Sequence, residues 1–170
     1  AECAGSVLRT ALVARCFLTA FTHLTAQLPW KFGGRLSATI EGHEGPVLSL
    51  ARLEGGPQRS LLASAHANYT IKIRDIATGA CVATLEGHED IVHSLAVLEG
   101  GRLASGSADQ TIKIWELATG ACVATLAGHV HDVWALALLK DGRLASGSTD
   151  ATVKLWDLAT EACVATFAGH

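Results

Sequence analysis

The dipeptide Gly-His recurs at Gly42-His43, Gly87-His88, Gly128-His129 and Gly169-His170, at intervals of 45, 41 and 41 residues. Residues 87–129 read GHEDIVHSLAVLEGGRLASGSADQTIKIWELATGACVATLAGH, and residues 128–170 read GHVHDVWALALLKDGRLASGSTDATVKLWDLATEACVATFAGH. A looser copy fills residues 42–88. A period this long limits the fold more than composition does. Each copy must form one supersecondary unit, and units of one kind bury their apolar faces on each other. Such a chain extends a surface rather than building one unique centre, which points to a scaffold.

Within a copy the signals are those of short strands. In the second copy they fall at Ile91–Leu98, Arg102–Ser107, Thr111–Glu116 and Ala121–Leu126. Thr111, Lys113 and Trp115 alternate with Ile112 and Ile114, the period-two pattern of a strand. Gly100-Gly101 and Asp141-Gly142 suit tight hairpins. The connections are too short for parallel crossovers, so each copy predicts a four-stranded antiparallel meander. Pro57-Gln58-Arg59-Ser60 lengthens the first hairpin of the first copy. Both faces of each meander carry apolar residues and need cover. Radial stacking of like sheets supplies it, and the period fits the roughly 40–45 residues of a β-propeller blade. The expected fold is all-β: a partial β-propeller of three four-stranded antiparallel blades, at about 46–85, 91–126 and 132–167. One extra strand precedes them at 36–40, because LSATIEGH aligns with CVATLEGH and CVATLAGH.

The chain resembles the WD-repeat family. The resemblance rests on Gly87-His88, Ser105, Asp109 and Trp115-Glu116, and on Gly128-His129, Ser146, Asp150 and Trp156-Asp157. It covers about residues 36–170. It implies two structural hydrogen-bond networks, His88–Ser105–Asp109–Trp115 and His129–Ser146–Asp150–Trp156. Buried indole, imidazole and hydroxyl groups each require partners, so such a chain ties a blade together. In the first copy Asn68 and Arg74 replace Asp and Trp beside His43 and Ser64, so that network is expected to be incomplete. A Ser-His-Asp hydrolase triad is disfavoured, since a nucleophile is normally unique and no G-x-S-x-G elbow is present.

The resemblance also implies a partner-binding face on positions around the first strand and before the turn Asp. These are Pro46, Leu48 and Ala67 in the first blade, and Ile91, His93 and Ala108 in the second. In the third they are Asp132, Trp134 and Thr149. The copies diverge here, whereas GRLASGS is identical at 101–107 and 142–148. Trp134 is either a core aromatic at a strand edge or an exposed anchor. His93 is expected as a solvated surface residue. The mostly apolar set predicts a protein or peptide partner. A net charge of −3 and scattered Lys and Arg argue against a nucleic-acid stripe.

Residues 1–35 do not match the repeat. Val13, Phe17, Phe21, Leu24 and Leu28 predict an amphipathic helix over about 6–28, ended by Pro29. It reads as a cap on the array, as a targeting segment, or as non-native sequence. Arg9, Arg15, His23 and Gln27 interrupt it, so no membrane span is expected. The lack of any Met suggests processing or a longer reading frame. Cys81, Cys122 and Cys163 recur at one repeat position, too far apart to pair, and read as small apolar strand residues in a reducing compartment. No metal site, cofactor or catalytic residue is expected. The expected location is intracellular, in the cytoplasm, with the nucleus as alternative. The functional expectation is a non-catalytic protein-protein interaction scaffold, part of a longer propeller. The alternative is a regulatory or substrate-recognition part of a larger enzyme or ubiquitin-ligase complex. Three blades need missing blades or self-association to close a ring of about four to eight.

Overall fold

The computed structural model describes residues 39, 40, 43, 45–54 and 60–169. The segment 1–35, with its expected helix, lies outside the described residues, as does most of the strand expected at 36–40. No helix among the described residues is long and apolar enough to cross a membrane.

The described chain from His43 onward is all-β. Its strands are β1 (Val47–Glu54), β2 (Ser60–His66), β3 (Ile71–Asp75), β4 (Cys81–Leu85), β5 (Val92–Leu98) and β6 (Arg102–Ser107). They continue with β7 (Thr111–Glu116), β8 (Ala121–Ala127), β9 (Val133–Leu138), β10 (Leu144–Ser148), β11 (Thr152–Asp157) and β12 (Ala162–Ala168). They form three four-stranded sheets in sequential order, β1 to β4, β5 to β8 and β9 to β12, every neighbouring pair antiparallel. We call these sheets 1, 2 and 3.

The sheets stack face to face, with β1 packed on β5 and β5 on β9. Two cores result, each between a pair of sheets. The back face of sheet 1 supplies Leu53, Ile71, Ile73 and Leu85, which meet Val92, Leu103 and Trp115 on the front face of sheet 2. The back face of sheet 2 supplies Leu98, Ile112, Ile114 and Leu126, which meet Val133, Leu144 and Trp156 on the front face of sheet 3. β7 shows the origin of this layering. Its period-two alternation sends Ile112 and Ile114 backward and Trp115 forward, and all three are buried. The outer strands β4, β8 and β12 are mostly exposed, and Cys81, Cys122 and Cys163 sit on them as exposed free thiols.

The turns between third and fourth strands carry one left-handed position each. Gly79 and Gly120 occupy it in sheets 1 and 2, at φ 72° and 74°. Sheet 3 places Glu161 there at φ 58°. A Cβ in that region is crowded by the neighbouring carbonyl, at a cost of roughly 1–2 kcal/mol. Glu161→Gly removes the crowding, and part of the gain is offset by the freedom of glycine in the unfolded chain. The variant is expected to gain about 0.5–1 kcal/mol in urea melts. No gain would show that the turn tolerates the side chain without strain.

Candidate functional site

The side chains that build the site start from the loop before each first strand. In sheet 2, Trp115 Nε1 donates to Ser105 Oγ at 2.8 Å. Ser105 Oγ lies 2.7 Å from His88 Nε2, and His88 Nδ1 lies 2.6 Å from Asp109 Oδ2. An ionised carboxylate only accepts, so His88 Nδ1–H donates to Asp109, and in the neutral imidazole Nε2 accepts the Ser105 hydroxyl proton. The bonds therefore run in one direction: indole to serine, serine to imidazole, imidazole to carboxylate. Asp109 also accepts the Glu89 amide, the Thr111 amide and the Thr111 hydroxyl, at 3.1, 2.9 and 2.7 Å. Burial pushes the Asp109 carboxyl upward, but the bonds from His88 and Thr111 outweigh it and hold it far below the usual carboxylate range.

Sheet 3 repeats the arrangement. Trp156 Nε1 donates to Ser146 Oγ at 2.8 Å, Ser146 Oγ is 2.7 Å from His129 Nε2, and His129 Nδ1 is 2.7 Å from Asp150 Oδ2. Burial again raises the Asp150 carboxyl, and the bonds from Thr152, His129 and the Val130 amide override it to a net depression. Gly87 and Gly128 explain why glycine precedes each histidine. Both have positive φ, 144° and 154°, and a Cβ there would lie 3.4 and 3.2 Å from the Trp115 and Trp156 rings. The order Ser–His–Asp matches that of a hydrolase triad, yet Ser105 and Ser146 are buried and already receive an indole proton. A hydroxyl enclosed in this way is a structural link and not a reachable nucleophile.

Sheet 1 is tied differently. His66, at the repeat position of Ser107 and Ser148, has Nε2 at 2.8 Å from Ser64 Oγ and at 3.2 Å from His43 Nδ1. Asn68 Oδ1 accepts the Thr70 hydroxyl at 2.8 Å. Arg74, at the position of the tryptophans, donates from Nη1 to the Gly79 carbonyl at 3.1 Å. The sequence reading overlooked His66. Its signal was a histidine standing where the other copies have serine.

The nine residues assigned to a partner face collect at one edge of the stack, where each first strand begins and each second strand ends. Backbone bonds join them within each sheet: the Ala67 amide to Pro46 O at 3.2 Å, Ala108 to Ile91 O at 2.8 Å, and Thr149 to Asp132 O at 3.1 Å. The pairing register of each first strand shifts at one residue there, between Val47 and Ser49, between Val92 and Ser94, and between Val133 and Ala135. Leu48, His93 and Trp134 are thus the bulged residues, each re-aimed by its bulge. Pro46, Trp134 and Thr149 are exposed; Leu48, Ala67, Ile91, Ala108 and Asp132 are half-buried. His93 departs from the expectation of a solvated histidine. Its side chain is 6% exposed, with the Trp134 ring stacked on it at 3.8 Å between centroids and 13° between planes. Trp134 covers it because the two bulges lie on neighbouring sheets. Burial lowers the His93 pKa, against the pull of Asp132 and Asp90, and Asp132 Oδ2 lies 3.8 Å from His93 Nε2.

Trp115→Ala removes both a buried aromatic and the donor that starts the chain of bonds, and is expected to cost roughly 3–5 kcal/mol. Arg74→Ala, which breaks the bond to the Gly79 carbonyl but removes no aromatic ring from a core, is expected to cost less, about 2 kcal/mol. Urea melts measure both, and equal losses would remove the network from the account.

The sequence profile of the family described as WD domain, G-beta repeat matches residues 34–75, 79–116 and 120–157. The spans are out of phase with the sheets: 79–116 holds β4 with β5, β6 and β7. Among solved structures, the chain is similar to one described as the structure of U3-55K, at 27% identity and a TM-score of 0.70, over 77% of this chain and 42% of that one. It is similar also to one described as the crystal structure of RRP9 WD40 repeats, at 28% identity and a TM-score of 0.71, over 77% of this chain and 41% of that one. It thus spans about two-fifths of the length of either. No curated protein matches. With the profile covering more than half of the sequence and three matching sheets, the chain belongs to the WD-repeat family.

Proposed function

We propose that the chain is a non-catalytic interaction scaffold that docks a protein or peptide on the edge carrying Leu48, His93 and Trp134. WD-repeat domains in general serve as scaffolds for other proteins. The observation that carries the reading is the bulge. Three sheets of one design place a bulged residue at one position, and there the side chains are Leu, His and Trp. A bulge interrupts ladder pairing, and such interruptions recur where a side chain is aimed at a purpose. The surrounding scaffold is uniform, with GRLASGS in both the second and third copies. Trp134 is 39% exposed and rests on the His93 ring, so it is held rather than loose. A large aromatic already fixed in place loses little rotamer freedom on binding, which suits an anchor. Ile91 and Leu48 beside it are half-buried apolar neighbours. The exposed free thiols of Cys81, Cys122 and Cys163 fit a reducing, intracellular compartment.

The test compares proteins captured from lysate by the natural chain with those captured by Trp134→Ala and by His93→Ala. Val164→Ala, on the exposed β12, is the control. The anchor predicts that Trp134→Ala loses at least tenfold of a specific captured species that the control retains. The same species bound equally by all variants, with melting curves intact, would exclude this edge.

A further inference from the structure

The charges at the docking edge are unbalanced. The loops that form it in sheets 2 and 3, residues 88–93, 107–111, 129–134 and 148–152, carry Glu89, Asp90, Asp109, Asp132 and Asp150 and no lysine or arginine. The cations of these two sheets stand elsewhere. Arg102, Lys140 and Arg143 lie at the hairpins of the opposite edge, and Lys113 and Lys154 donate to Thr125 and Thr166 on the outer strands. Asp109 and Asp150 are taken up by their networks, which leaves Glu89, Asp90 and Asp132. The buried His93 ring is aimed among these carboxylates. Neither of its nitrogens has a hydrogen-bond partner, and Nε2 faces Asp132 Oδ2 across 3.8 Å, too long for such a bond. Asp90 comes from the entry loop of sheet 2 and Asp132 from that of sheet 3, so both walls of the site belong to this chain.

We propose that the peptide or protein docked at this edge supplies the missing cation, an arginine or lysine side chain that seats on Asp132 and Asp90 beside His93. The inference rests on the docking edge proposed above and adds the chemistry of the partner there. A cation set against two carboxylates that no cation of the chain faces gives charge complementarity, and with it register and choice of partner. The proton is a competing cation. The charged groups that act on His93 are Asp132, from the loop before β9, and Asp90, from its own loop. β9 faces the ring with Trp134, and β1, which also packs on β5, begins with Val47, Leu48 and Ser49, none of them charged. An imidazolium at this position pairs with Asp132 and opposes a second positive charge. Burial favours the neutral ring, so the site is open to a cationic side chain near neutral pH and closes as pH falls.

The probe is an immobilised array of hexapeptides with one arginine or lysine among apolar residues, beside the same peptides with glutamate in that place. At pH 7.5 the natural chain is expected to be retained by the basic set and not by the glutamate set. The double variant Asp90→Asn, Asp132→Asn keeps the shape of both side chains and is expected to lose about tenfold of that retention. Glu99→Gln, which removes an exposed carboxylate at the opposite edge, is expected to lose none. At pH 5 the carboxylates are still ionised. There the natural chain is expected to lose retention severalfold and His93→Gln to keep it, with melting curves confirming that each variant is folded. Equal retention by the glutamate set, an equal loss in Glu99→Gln, or a pH response shared by His93→Gln would each overturn the inference. So would basic peptides that retain nothing; a captured species still lost by Trp134→Ala would then leave the docking edge standing without its cation site.

Discussion

The structure depends on a carboxylate that cannot give a proton. Asp109 and Asp150 accept from an imidazole, a backbone amide on each side of the loop, and a threonine hydroxyl. Because the terminus only accepts, the histidine donates to it from Nδ1. With a neutral imidazole Nε2 then accepts from the serine hydroxyl, which receives the indole. One charge thereby orients three side chains on two strands and a loop. It also satisfies buried polar groups that would otherwise cost about 1–3 kcal/mol each.

The phase difference between repeat and sheet gives this local order its reach. A sequence repeat begins on the outer strand of one sheet and ends on the third strand of the next. Each tryptophan therefore closes its own network through its Nε1 while its ring packs in the core shared with the preceding sheet. Fixing the indole fixes that sheet contact. The bulged residues sit a few positions from the network histidines, at an edge whose geometry is already determined. In sheets 2 and 3 the variable side chains His93 and Trp134 thus stand on a rigid, shared frame.

Much of this is written in residue types and spacing. The alternation in Thr111–Glu116 marks β7 at both ends, and the second copy's first strand, expected from Ile91, begins at Val92. The network residues are readable because buried donors and acceptors of fixed kinds recur at fixed offsets. Other features depend on contacts that residue type does not encode. The burial of His93 is produced by Trp134 on another sheet, and a single copy carries no sign of it. The bulges follow from pairing register, which has no residue signature here: Leu48, His93 and Trp134 share no property. The left-handed turn position held by Tyr69, Gln110 and Ala151 is equally silent, since none is a glycine or asparagine. His66 was legible only as a departure from serine, and its bonds to Ser64 and His43 required coordinates.

Ionised Asp109 ties the strands of sheet 2 to its entry loop and ionised Asp150 does the same in sheet 3, and stability measured against pH tests this directly. A carboxyl whose pKa is depressed by folding contributes stability that is complete above its unfolded value, about 3.9, and is lost as pH falls toward the folded value. The difference in unfolding free energy between the natural chain and an Asp109→Asn, Asp150→Asn variant is therefore expected to be present at pH 5, where both carboxylates are ionised. It should narrow progressively below about pH 4. A difference that stays the same down to pH 2, or that is absent at pH 5, would contradict the account.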